Sequence, residues 1–212
     1  MPPFFESLLQ NTITFFAILD PIGVSALVLS ILPANTTSSQ MNDIARKSTF
    51  TIIIAFFVVL LTGDFILQIF AINANSIKVM GGLVLILMAL QMVRGSNKSK
   101  KPTKAEEKDS KEQEDLSVIP IGIPITFGPG IFTTILIYKQ EASTFTDISI
   151  IIIAFLINAA LIYITFKYSI YLKKILGLTG QNIVTKLMGL IVGAIAVQFI
   201  ISGIVSLTKA YL

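Results

Sequence analysis

Six long apolar runs, joined by polar turns, leave this chain little freedom in what it can fold into. They cover about Ser7–Leu32, Ser48–Ile72, Ile77–Val93, Ser117–Tyr138, Ile148–Leu172 and Leu187–Leu207. Each approaches the roughly 20 residues that a helix needs to cross bilayer hydrocarbon. Ile and Val abound in them, but continuous runs of this length exclude the alternating pattern of an outer-membrane barrel. The expected class is an all-α integral membrane protein with six transmembrane helices.

Charge supports that class. Only 13% of the residues are charged, against about 25% in a soluble domain. The charge is also clumped, with 13 ionisable residues between Arg94 and Asp115 and 15 in the rest of the chain. A soluble fold needs charged surface all round. The chain has no His, Cys or Trp, which removes a thiolate nucleophile, a Ser–His triad and a zinc site of the usual Cys/His kind. Its net charge of +4 lies beside apolar segments, so no nucleic-acid partner is expected. The start, Met1-Pro2-Pro3-Phe4-Phe5-Glu6, lacks the basic region of a signal peptide, and no cleaved leader is expected.

The clump divides the chain. Lys98, Lys100, Lys101, Lys104, Lys108 and Lys111 alternate there with Glu106, Glu107, Asp109, Glu112, Glu114 and Asp115. So polar a stretch cannot bury enough surface to offset its ordering entropy. Residues 96–116 are therefore expected to be a solvated linker between two three-helix halves, residues 1–95 and 117–212. Loops one–two, three–four and five–six hold thirteen Lys and Arg, and the other side holds Lys78, Lys139 and Lys209. By the positive-inside rule the linker is cytoplasmic and both termini lie outside.

The halves resemble each other at one offset. Pro21 and Pro129 are 108 residues apart, each in a Gly-flanked interruption of the first span of its half. Lys78-Val79-Met80-Gly81 and Lys186-Leu187-Met188-Gly189 keep the same offset, each opening a third span, and so do Gly95 and Gly203. Three spans per half is an odd number, so the second half enters from the opposite side. That is the inverted repeat of many secondary transporters, with helices one and four broken.

A Gly-Pro break inside a membrane matters because proline removes a donor and glycine lets the chain leave helical geometry. The freed backbone groups survive only against protein or a watery cavity. Half-helices beginning near Ile22 and Ile131 would point positive ends inward, suited to a carboxylate.

Asp20-Pro21-Ile22-Gly23, the stretch from Pro124 through Gly130 into Ile131-Phe132-Thr133-Thr134, and Lys186-Leu187-Met188-Gly189 followed by Ala196-Val197-Gln198 together resemble the MarC family. The resemblance covers nearly the whole chain except the linker. It implies a six-span bacterial or archaeal inner-membrane protein, related to transporters of small neutral amino acids such as glycine and alanine. Val24 and Ala26 stand where many members have Asn and Pro, and Phe127 stands where Ala is usual.

The two breaks are expected to meet near the bilayer midplane with the substrate site between them, lined by Asp20, Pro21, Gly23 and Ser25 at the first break. Thr126, Gly128, Pro129, Gly130, Thr133 and Thr134 are their counterparts at the second. Asp20 has two roles open to it: an ion or proton site, or a cap on the following half-helix with Pro21 at its first position. The hydroxyls of Ser25, Thr126, Thr133 and Thr134 could bond solute or their own backbone. Gln91, Asn158 and Gln198 serve equally as interhelical bonds or cavity lining. Asp64 belongs near the outer end of span two.

Three functions compete. A secondary transporter or exporter of small polar solutes fits the breaks, and its partners are that solute and the membrane lipids, without a cofactor. Coupling to H+ or Na+ is compatible with Asp20. An enzyme pairing Asp20 with Asp64 is disfavoured, because the two acids lie at different depths. A non-transporting scaffold or assembly protein leaves the breaks without a purpose.

The Lys/Arg asymmetry generates a direct test in this cysteine-free chain. Lys209→Cys should react with an impermeant thiol reagent on intact cells and Lys104→Cys only after permeabilisation. Labelling of Lys104→Cys in intact cells reverses the orientation.

Overall fold

The computed structural model describes residues 3–32, 36–95 and 125–211. The linker and the opening of the fourth span, residues 96–124, lie outside the described residues. Within these limits the chain is all-helical: α1 (Pro3–Leu19), α2 (Pro21–Ile31), α3 (Ser38–Ile69), α4 (Ala74–Arg94), α5 (Pro129–Glu141), α6 (Phe145–Lys167) and α7 (Ser169–Tyr211). Five runs are long and apolar enough to cross a membrane: α1 with α2, then α3, α4, α6 and α7. The 13 residues of α5 are the visible part of the fourth span.

Helix ends follow local chemistry more than hydropathy. α3 starts ten residues before the apolar run, because Thr37 and Gln40 form a reciprocal capping box and Asp43 pairs with Lys47 one turn on. α6 begins with a second capping box, Thr144 with Asp147. Lys186 does not open a helix, in contrast to the sequence expectation. The polar stretch before it continues the helix back to Ser169, with one non-helical residue at Gly177.

Lipid-facing and inward surfaces separate cleanly. On α3, Phe50, Ile54, Val58, Leu61, Phe65 and Ile69 are exposed at three- and four-residue spacing, a continuous apolar stripe. The opposite faces build a core around Phe15, Phe56, Phe155, Phe166, Leu85 and Ile131.

The halves interlock. α4 packs most extensively on α7, α3 packs on α6, α2 packs on α6 and α7, and α5 packs on α3 and α4. Exchanging the halves maps this set of neighbours onto itself. α4 and α7 run antiparallel, since Gly203 meets Asn75 and Lys78, Gly189 meets Ala89 and Met92, and Gly95 meets Lys186. The contact of Lys78 with Gly203 is the 108-residue image of that between Lys186 and Gly95. The repeat seen in the sequence is thus an inverted repeat in space.

Lipid tails are as apolar as leucine, so close backbone packing has to supply much of the association. A Cβ on Gly82 would stand 2.7 Å from the Ala196 carbonyl oxygen, and one on Gly203 2.8 Å from that of Asn75. Backbone cannot yield as a side chain can. At Gly193 the nearest atom, Ala89 Cβ, would be 3.5 Å away, an ordinary contact. Gly82→Ala should therefore lose about 1–3 kcal/mol to overpacking, whereas Gly193→Ala should be nearly neutral. Thermal unfolding in detergent distinguishes them, and equal stabilities would show that the seam is not tight.

Candidate functional site

The first break is built by two adjacent residues. Pro21 has no N–H, so the helix cannot continue from the Ala17 carbonyl. Asp20 takes up left-handed backbone, φ 39 and ψ 64, a region that non-glycine residues visit rarely and Asp and Asn most readily. Its N–H still donates to the Phe16 carbonyl at 3.0 Å, and its own carbonyl accepts from Val24 at 2.9 Å. One helix therefore ends and the next begins on the same residue. The buried carboxylate accepts the Gly23 N–H at 3.1 Å and the Thr185 hydroxyl from α7. The geometry is that of a cap, with Pro21 at the first helical position. Gly23 is required, because any Cβ there would collide with both the Asp20 carboxylate and Thr185.

The second break has no such side chain. Gly128 is extended, φ −86 and ψ 178, and contributes no side-chain cap to α5, which starts at Pro129. Its carbonyl accepts from Phe132 at 3.2 Å. Gly130 presses against Leu85 and the Met88 sulfur of α4, leaving no room for a Cβ.

The flanking hydroxyls are turned to their own helices. Ser25 donates to the Ile22 carbonyl at 2.7 Å and Thr134 to the Gly130 carbonyl at 2.8 Å. Thr133 shares its proton between the Pro129 and Gly130 carbonyls at 3.0 and 3.1 Å. Thr126 is buried beside the second break. The two breaks sit on different helices, Asp20 and Gly23 against α7 and Gly130 against α4. Thr185 lies beside Lys186, which faces Gly95 at the end of α4, while Met88 lies two turns inside α4. At 1.5 Å per residue, roughly 10 Å of depth separates them.

A cavity of about 630 Å³ opens elsewhere, between α1, α5, α6 and α7. Its polar lining includes Gln10, Asn11, Thr14, Tyr138 and Gln198, with Glu141 and Asp147 toward its mouth. None of the ten residues expected from sequence lines it. The signal was present: Ser7, Gln10, Asn11 and Thr14 form a polar stripe at helical spacing within an otherwise apolar span. The mouth lies at the end of the bundle where Lys78 pairs with Glu141 at 2.9 Å and Lys139 with Asp64 at 2.8 Å. Gln140 also donates to Asp64, at 2.6 Å. Asp64 is thus at an end of its span, as expected.

The inner wall of the cavity is aromatic. Tyr138 is edge-on to Phe15 at 5.6 Å and to Phe199 at 6.3 Å, and its hydroxyl is hydrogen-bonded with Thr14. Phe15 is edge-on to Phe155 at 5.5 Å, which stacks on Phe56 at 4.0 Å and meets Phe127 at 6.4 Å. Phe127 precedes Gly128. A continuous aromatic layer therefore runs from the cavity to the second break.

Polar groups are also buried beyond that layer. Asn158 donates to the Thr12 and Ala154 carbonyls at 3.0 and 2.9 Å, which makes it an interhelical tie, while its Oδ1 has no partner among the described residues. Gln181, one turn before Thr185, is almost completely buried, and neither end of its amide is bonded among the described residues. Thr185 and Gln181 lay outside the apolar runs, and sequence reasoning passed over both.

The capping geometry makes a prediction. Asp20→Asn keeps a cap and tolerates left-handed backbone, so stability in detergent should stay within about 0.5 kcal/mol, whereas Asp20→Ala should lose roughly 1–2 kcal/mol. Equal losses in both variants would mean that the negative charge itself holds the break.

Comparison with known proteins places this geometry in context. A family described as MarC family integral membrane protein matches residues 5–208. UPF0056 membrane protein MJ1677 of Methanocaldococcus jannaschii is 31% identical over 191 residues, 90% of this chain and 92% of its own. UPF0056 membrane protein YvbG of Bacillus subtilis is 31% identical over 204 residues, 94% and 95% of the two chains. UPF0056 membrane protein YhcE of Escherichia coli is 26% identical over 192 residues, 91% and 89%. No solved structure matches.

Proposed function

The chain belongs to the MarC family of integral membrane proteins, and from that footing we propose that it is a secondary transporter or exporter of small polar solutes. Small neutral amino acids, of the size of glycine and alanine, are the substrate class. The observation that carries this reading is the cavity whose aromatic wall ends at an uncapped helix start.

The two breaks then do different work. At α2 the N-terminal N–H of Gly23 is already taken by the Asp20 carboxylate. At α5 the cap position brings no side chain, so the N–H groups of Gly130 and Ile131 are the ones suited to a solute carboxylate. Asp20, the one buried acid among the described residues, is the group to which H+ or Na+ coupling falls. Pro21, Pro129 and the back-bonded hydroxyls of Ser25, Thr133 and Thr134 shape the backbone around this route. Alternating access consists of opening the layer of Phe15, Tyr138, Phe155 and Phe127 while the opposite end closes.

The excess of Lys and Arg in the loops on the linker side supports an orientation in the cell or inner membrane with the linker cytoplasmic. The cavity then opens outward.

Proteoliposomes carrying the purified protein should take up labelled glycine or alanine. Coupling a bulky thiol reagent to Asn11→Cys in the cavity should abolish that uptake, and Gly128→Val should abolish it without preventing insertion. Uptake that survives both changes would remove the cavity and the second break from the route. No movement of either solute by the wild type would remove the substrate class.

A further inference from the structure

Between Lys167 and Leu178 the chain carries a cluster that the solute route does not use. No Asp or Glu occurs after Asp147, so the last 65 residues contain lysines and no acid. Lys167, Lys173 and Lys174 lie together in that stretch, and among the described residues none of them pairs with a carboxylate. Their neighbours are aromatic. The Lys167 ammonium stands 5.5 Å from the ring centroids of both Tyr163 and Tyr168, and that of Lys174 5.8 Å from Tyr171.

The local fold turns this cluster outward. Gly177 has φ 63 and ψ 177, and a Cβ there would meet nothing within 4 Å. That conformation is open to glycine, and it bends the eight residues 169–176 away from the long limb of α7. On this short limb Ser169 is buried and Leu172 and Leu176 are half-buried, a spacing that fixes its inner face. The outer face presents Tyr171, Lys174 and Ile175, continued by Leu178. Ile175 is 82% exposed, far more than water would favour for so apolar a side chain. The limb lies at the end of the bundle where Tyr163 bonds Asn42 near the start of α3, which is the end that carries Arg46 and Lys47.

Lysine, tyrosine and aliphatic side chains on one exposed face are what the boundary between headgroups and acyl chains selects. We infer that residues 167–178 form a binding site for the phosphodiester headgroup of an anionic phospholipid. Lys167, Lys173 and Lys174 supply charge, the Tyr168 and Tyr171 hydroxyls donate to phosphate oxygens, and Ile175 and Leu178 enter the acyl layer. Charge complementarity commits the site to an anionic lipid, because a zwitterionic headgroup brings its own ammonium against the lysines.

The test is independent of solute transport. Full-length protein in detergent is titrated with phosphatidylglycerol, phosphatidylcholine or inorganic phosphate at matched ionic strength, and lipid retention and thermal unfolding are followed. Phosphatidylglycerol should be retained and should raise the unfolding temperature, and the other two should not. Each lysine changed to glutamine should weaken retention roughly fivefold, as expected for about 1 kcal/mol per basic residue at a charged surface. Stabilisation of the wild type by phosphatidylcholine to the same degree would overturn the site, and so would an equal effect of inorganic phosphate. Undiminished retention by the triple variant Lys167→Gln, Lys173→Gln, Lys174→Gln would also overturn it. If the triple variant unfolds, the wild-type comparison of lipids still decides, and Lys174→Gln alone gives the slope.

Discussion

The antiparallel crossing of α4 and α7 is the contact around which the rest of the bundle is arranged. It works because Gly82, Gly189 and Gly203 bring backbone against backbone, which in lipid supplies what hydrophobic burial supplies in water. With that axis set, α2 and α5 each find their neighbours in the opposite half, and the inner faces of the broken helices rest on protein. Irregular backbone inside hydrocarbon is tolerated only under that condition.

Two breaks at matching sequence positions do not make two equivalent sites. Asp20 closes its own break with a carboxylate and a left-handed residue, and Thr185 anchors it from α7. The Gly128 break closes nothing and is instead pressed against Met88. A pseudo-symmetric scaffold has thus been given two chemically different ends, one capped by its own carboxyl group and one whose cap residue contributes no side chain. Their seats on different helices, roughly 10 Å apart in depth, add a positional difference to the chemical one.

Much of this was legible in the residues. The apolar runs placed the spans, and the Asp20-Pro21 and Gly128-Pro129 pairs placed the ends of α1 and the start of α5. The 108-residue offset appears in space as the paired contacts of Lys78 and Lys186. The role of Asp20 as a cap was one of two left open, because a single sequence does not say which donor a carboxylate will meet. What hydropathy missed were polar helical extensions. Capping at Thr37 carried α3 back beyond its apolar run, and the stretch around Thr185 continued α7, so that the residue bonding Asp20 lay in what looked like a loop. The cavity went unseen for another reason. Its walls come from α1, α5, α6 and α7, and only the polar stripe on α1 is visible within one segment.

The interlocking of the halves also bears on how the protein is made. A chain emerging from the ribosome delivers α1 to α4 well before α6 and α7, yet nearly every helix of the first half has its principal neighbours in the second. The early helices must therefore wait in the bilayer with the glycine face of α4 unmatched and the polar stripe of α1 unsheltered. The order of synthesis is thus at odds with the order of contact.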